Sequence, residues 1–213
     1  MDTTQSLELL IAQKLLRMKA FYVQTANPFT WANGWKSPIY FDDRKILSYV
    51  YMRNLVKLEM AHIIAEHFPD IDVVAGIATN AIAHSLLAAE QLSLPYVYVY
   101  PKPKSHGLEN QIEGDLRPRQ KAVIIDNQVH VGNDALAVTQ ALNSNGCTVE
   151  GVVTLFDLEL PTARKKFEQA GLKLYSLTTY SAMMEVVKSE QLFREDVIAA
   201  LEDWHVAPSK WGK

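Results

Sequence analysis

The chain has 213 residues, 48% of them hydrophobic and 21% charged, enough for one sizeable core, whereas two full domains would each be small, so one domain over 1–213 is expected. A formal charge of −3 excludes the basic footprint of a nucleic-acid binder, and no apolar run approaches the ~20 residues of a membrane span. Cys147 is the only cysteine, which excludes an intramolecular disulfide, and the N-terminus has no basic region leading into an apolar stretch, so a soluble cytoplasmic protein is expected.

Ser6 to Met18 reads as a helix capped by Ser6, with Leu7, Leu10, Ile11 and Leu15 along one face. From Phe21 the pattern changes to short extended pieces broken by Asn27-Pro28 and Asn33-Gly34, predicting a small β-rich flap over about 21–45. Trp31 and Trp35 flank the second turn and read as flap packing. Tyr51 to His67 returns to the helical period through Val56, Met60, Ile63 and Ile64 and stops before Pro69. Strands are then predicted at 73–76, 96–100, 122–125, 149–156 and 172–177, with helices at 81–91, 134–143 and 162–170. Strands that are nearly all apolar and alternate with helices predict a parallel α/β sheet covered on both faces. Helical segments at 181–188 and 191–204 finish the chain.

In such a sheet, ligands bind beyond the carboxyl ends of the strands, here after Gly76, Tyr100, Ile125 and Phe156. Residues 101–119, PKPKSHGLENQIEGDLRPR, are polar and carry three prolines and two glycines, and a loop this long inside a compact domain usually has a function. Lys102, Lys104 and His106, followed by Gly107, can bring positive charge over a phosphate and withdraw it, which makes the segment a candidate lid. The second candidate is the strand leading into Asp126, Asn127, Gln128, Val129, His130, Val131, Gly132, Asn133 and Asp134, a polar turn before a helix whose N-terminus favours anions. Asn133 or Asp134 could equally be a plain helix cap. His62, His67, His84 and Cys147 lack the spacing of a metal site and read as structural.

Three segments, NPFTWANGWKSPIYFDDRKILSY, GIATNAIAHSLLAAEQLSLPYVYV and KPKSHGLENQIEG, together resemble the orotate phosphoribosyltransferases, over about residues 5 to 188. The Lys-x-His-Gly lid is the most specific of them. The resemblance implies a type I phosphoribosyltransferase fold and a Mg²⁺-dependent transfer from phosphoribosyl pyrophosphate (PRPP) to orotate. It implies that Lys104 and His106 approach the pyrophosphate with help from Lys102, and that Asp126 holds the ribose hydroxyls. Lys36 and the Tyr40/Phe41 pair would lie beside the base. A homodimer is implied as well, with the lid reaching into the neighbouring subunit's site.

The chain departs from the family's pattern at the phosphate sub-sites. Asn127 stands in place of the second acid of the PRPP motif, and His130, Val131, Gly132, Asn133 and Asp134 replace a loop rich in hydroxyls and glycine. Tyr100 and Pro101 stand where an arginine and a basic or small residue precede the lid, and Asn80 replaces a glycine or lysine after the strand at 73–76. All of these changes favour weaker anion binding. Two readings follow: an orotate phosphoribosyltransferase, or a weakened or inactive paralogue acting as a ligand-binding or regulatory dimer. Transfer to a different acceptor ranks below both, because lid and flap match the orotate branch.

Overall fold

The computed structural model describes residues 6–31, 33–103 and 110–212. Its first elements are α1 (Leu7–Arg17), β1 (Phe21–Val23), β2 (Phe29–Thr30), β3 (Lys36–Ser37), β4 (Ile39–Phe41), a 3-10 helix (Asp43–Ser48) and α2 (Val50–His67). β5 (Val73–Ile77), α3 (Ile82–Leu92), β6 (Tyr96–Val99), β7 (Ile112–Glu113), β8 (Lys121–Val129) and α4 (Asn133–Ser144) follow. The chain closes with β9 (Thr148–Asp157), α5 (Pro161–Gln169), β10 (Lys173–Thr179), α6 (Tyr180–Ser189) and α7 (Glu195–Val206). These fall into two compact units, Leu47–Thr179 and the pair of segments Met1–Ile46 and Tyr180–Lys213. No helix among the described residues is long and apolar enough to cross a membrane.

The larger unit is a six-stranded sheet in the order β10-β9-β8-β5-β6-β7. All of its pairings are parallel except that of the edge strand β7, which runs antiparallel to β6. Central strands buried on both faces need continuous apolar sequence, and β5, Val-Val-Ala-Gly-Ile, is buried throughout. On one face, Val73, Ala75, Ile124 and Val152 pack with Val138 and Leu142 of α4 and Ala163 and Phe167 of α5. On the other, a Cβ at Gly76 would lie 2.0 Å from Ser85 Oγ of α3, and one at Gly151 would lie 2.5 Å from Phe68 at the end of α2. Glycine at these two points lets α2 and α3 approach the strands. Because β5 is flanked by β6 on one side and β8 on the other, the chain reverses direction across the sheet between β5 and β8, and the carboxyl ends of that pair form the crevice where an α/β sheet binds ligands.

The smaller unit gathers the flap and the C-terminal helices. Ser6 caps α1, its side chain accepting the Leu9 N–H, and Ala12 packs against Ala182 and Val186 of α6. β1 pairs with β4 and β2 with β3, both antiparallel. Phe21 stacks on Phe41 with centroids 4.7 Å apart. Trp31 stacks on Trp35 and meets Trp204 edge-on, and Trp204 donates its indole N–H to the Lys36 carbonyl at 3.0 Å.

Two sequence expectations change. Residues 101–119 are not one loop, because β7 lies within them and pairs Ile112 with Val99. The strand predicted at 122–125 continues to Val129, so Asp126 and Asn127 are buried strand residues and not part of a turn.

Candidate active site

At the carboxyl end of β5, the Ala78 N–H donates to the Val99 carbonyl at 2.9 Å, and the Ala78–Thr79 peptide is cis. Asn80 follows, exposed in that turn. One strand away, Asp126 is paired in register with Thr154 of β9, and both are buried. The Gln128 N–H points at Asp126 Oδ1 from 3.4 Å. Asn127, next along the strand, is buried as well. Past Val129 comes His130, whose imidazole is held down to a pKa of about 4 because burial penalises its charged form.

Gly132 is the N-cap of α4, at φ 76°, in the left-handed region. A Cβ there would also lie 2.9 Å from Phe167 of α5, so two independent constraints select glycine. The expectation that Asn133 or Asp134 caps the helix is corrected, since no side chain caps α4. Asn133 is engaged elsewhere, its Oδ1 accepting a hydrogen bond from Lys166 Nζ, while Asp134 is exposed in the first turn. Lys166 also donates to the Val131 carbonyl at 3.0 Å. The first-turn N–H groups of α4 and this ammonium favour an anion, and the Asp134 carboxylate opposes one.

Beyond β6, the hairpin formed with β7 is pinned twice. The Tyr100 N–H donates to the Gln111 carbonyl at 2.8 Å, and Gln111 Nε2 donates to the Tyr100 carbonyl at 3.0 Å. Tyr96, Tyr98 and Tyr100 follow one another at ring separations of 6.4 and 6.0 Å. Lys102 is exposed beyond β6. Lys104 and His106 lie outside the described residues.

In the flap unit, Lys36 Nζ reaches Thr30 Oγ1 across the β2–β3 pair at 2.8 Å. Tyr40 is exposed, with Phe29 5.5 Å and Tyr22 6.3 Å away between centroids. Phe41, its neighbour, points the other way into the flap's interior. The carboxyl end of β5 is followed by Asn80, and neighbouring β8 with its loop into α4 carries Asp126, Asn127, His130, Gly132, Asn133 and Asp134, while Tyr100 follows β6. Two residues that sequence reasoning passed over also lie here. Asp157 is buried at the end of β9, its Oδ1 accepting the Glu159 N–H at 2.8 Å, and its only signal was its place after Phe156. Lys166 had none beyond membership of a basic run. Among the other residues read as structural, His67 stacks on Tyr175 at 4.0 Å, His62 lies 3.7 Å from both Glu59 and Glu66, and burial pushes the Cys147 thiol up.

No family model matches the chain. Curated relatives do. The orotate phosphoribosyltransferase of Bacteroides thetaiotaomicron is 45% identical over 207 residues, covering 97% of this chain and 98% of that protein. That of Bacillus subtilis is 41% identical over 208 residues, covering 98% and 96%. Among solved structures, orotate phosphoribosyltransferase from Aeropyrum pernix superposes with a TM-score of 0.74 at 26% identity, covering 84% of this chain and 98% of that one. Leishmania donovani UMP synthase shares the fold, with a TM-score of 0.77 at 23% identity over 92% of this chain and 42% of the longer one. The parallel sheet, the crevice between β5 and β8 and the small β-rich flap are those of a type I phosphoribosyltransferase, and the identity along nearly the whole length makes the chain a member of the orotate phosphoribosyltransferase family.

Proposed function

We propose that the protein transfers the phosphoribosyl group of PRPP to orotate, giving orotidine 5′-monophosphate and pyrophosphate in the synthesis of pyrimidine nucleotides. The observation that carries this reading is the near-complete, 45% identical match to a named enzyme of that activity. The bond from the anomeric carbon to pyrophosphate breaks as the orotate nitrogen attacks that carbon. Positive charge grows on the ribose and negative charge on the leaving group, so the protein's task is positioning and neutralisation. Lys104 and His106 are assigned to the departing pyrophosphate, with Lys102 as the next cation along the lid and Asn80 and Tyr100 at its base. Asp126 accepts from the ribose hydroxyls, Asn127 lies beside it, and residues 130–134 receive the 5′-phosphate. Lys36 and Tyr40 serve the base, and Phe41 holds Tyr40's strand in place.

Mg²⁺ belongs to this reading as the companion of PRPP. Among the described residues no group of three or more His, Cys, Asp or Glu side chains could enclose an ion. That fits Mg²⁺, which keeps its waters and is usually shared between one or two carboxylates and substrate phosphates. Asp126 is the carboxylate present to share it, and when bound the ion neutralises charge on the pyrophosphate.

The protein acts in the cytoplasm as a homodimer in which each lid serves the neighbouring site. Support for association comes from the larger unit, where Tyr49, Val50, Tyr51 and Leu58 of α2 and its cap are exposed, as is Leu86 of the adjacent α3.

The test is formation of orotidine 5′-monophosphate from orotate and Mg²⁺-PRPP, with Lys104→Ala beside the wild type. The substitution should lower kcat roughly 100-fold and change KM little, because the charge it offsets appears in the transition state. No product from the wild type at saturating substrates would overturn the reading and leave the non-catalytic dimer in its place.

A further inference from the structure

α5 reaches the crevice through two consecutive residues. The Phe167 ring lies against Gly132, close enough that a Cβ there would meet it at 2.9 Å. The Lys166 ammonium spans the same glycine, donating to the Val131 carbonyl at 3.0 Å and to Asn133 Oδ1. Both acceptors are neutral. Among the described residues Lys166 forms no ion pair; Glu159, the acid at the start of that turn, pairs with Arg164 at 3.2 Å. An ammonium carries three N–H donors, and two are engaged here, so one donor and a full positive charge remain at the mouth of the loop.

We propose that Lys166 is a binding residue for the 5′-phosphate of PRPP in this chain. It fixes the 131–133 backbone and supplies the charge that Val131, Asn133 and Asp134 do not. This deepens the function proposed above and rests on it, because it takes the 130–134 loop as the seat of that phosphate. Side chains on the loop itself offer no hydroxyl, and one of them, Asp134, is an opposing carboxylate. A cation brought in from α5 answers both deficits, because its charge offsets the carboxylate and its free N–H can bond a phosphate oxygen directly.

The experiment measures ribose 5-phosphate binding by calorimetry, at fixed ionic strength, for wild type, Lys166→Met, Lys166→Gln, Lys166→Arg and the control Lys165→Met, which removes the same charge from an exposed neighbour. Losing a charge-assisted bond should weaken binding about tenfold or more in the methionine variant. Glutamine, which can still donate to Val131 but carries no charge, should show the same loss with the melting temperature kept, and it gives the answer if the methionine variant does not fold. Arginine and the Lys165 control should stay within a few-fold of wild type. In turnover, the KM for PRPP should rise in parallel, with kcat and the KM for orotate little changed. Equal affinity in wild type and Lys166→Gln, or no binding of ribose 5-phosphate by the wild type at millimolar concentration, would overturn the proposal. If product forms while affinity is unmoved by substitution, only the role of Lys166 fails. If affinity falls as expected but no product forms, the transfer reaction is what fails.

Discussion

His130 shows how one residue of the loop sets a limit on the whole protein. Burial lowers its pKa from 6.5 to about 4, so between those values the unfolded chain binds a proton that the folded chain refuses. The stability tied to neutral His130 is therefore complete above about pH 6.5 and is lost as pH falls towards 4. The full shift corresponds to at most about 3 kcal/mol. Denaturant unfolding measured from pH 7 to pH 4 should show this loss, and His130→Asn should flatten the profile; parallel slopes for the two proteins would refute it. At this scale the sequence was informative where chemistry is local. The Ser6 cap could be singled out because its role follows from residue type and position in an element. Lys166 could not be, because Arg164-Lys165-Lys166 reads as a solvated helix face until α5 is seen docked against the β8–α4 loop. Nor could the engagement of Asn133, whose side chain turns to a lysine more than thirty residues away rather than to its own helix.

Among the elements, periodicity located every large helix and each parallel strand, since those depend on continuous apolar sequence. It failed where a strand is made by its neighbours. Asp126, Asn127 and Gln128 look like a turn, yet they remain extended because β9 continues beside them and pairs Val129 with Asp157. β7 is two residues long and sits at the sheet edge, where short polar strands are the rule, so its composition cannot separate it from the surrounding loop. Gly76 is the reverse case, an interior glycine in an apolar strand whose meaning is the approach of another group. Ser85 Oγ fills the space over it, donating to the Ala81 carbonyl at 2.6 Å and sharing a hydrogen bond with the Tyr96 hydroxyl at 2.9 Å. Gly76→Ala should push α3 away from β5 and cost about 1–3 kcal/mol, the usual range for overpacking. Adding Ser85→Ala should recover part of that loss in a double-mutant cycle followed by thermal unfolding. Additive losses would mean that Ser85 is not what Gly76 makes room for.

At the scale of the whole molecule, the proposed dimer makes each site depend on two chains. Surface apolar residues are ordinary when scattered, but Tyr51 and Leu58 stand two turns apart on one side of α2, at 64% and 48% exposure, with Val50 beside them. Charging that stripe should separate the subunits of the proposed dimer without unfolding them, because exposed positions tolerate substitution to within about 0.5 kcal/mol. Sedimentation velocity should give twice the chain mass for the wild type and a single chain mass for Tyr51→Glu/Leu58→Glu. A dimer that survives both charges would place the interface on another surface. If association also completes the site, activity should vanish with the dimer, and a mixing experiment identifies the reason. Lys104→Ala removes a lid cation and Asp126→Asn removes the acid of the crevice, so each homodimer should be nearly inactive. With the lid acting across a two-fold interface, a mixed dimer contains one site with both groups intact and one with neither. Random exchange makes half of the dimers mixed, which restores about a quarter of the wild-type rate. With the lid acting within its own chain, every site in the mixture lacks one group and no activity returns.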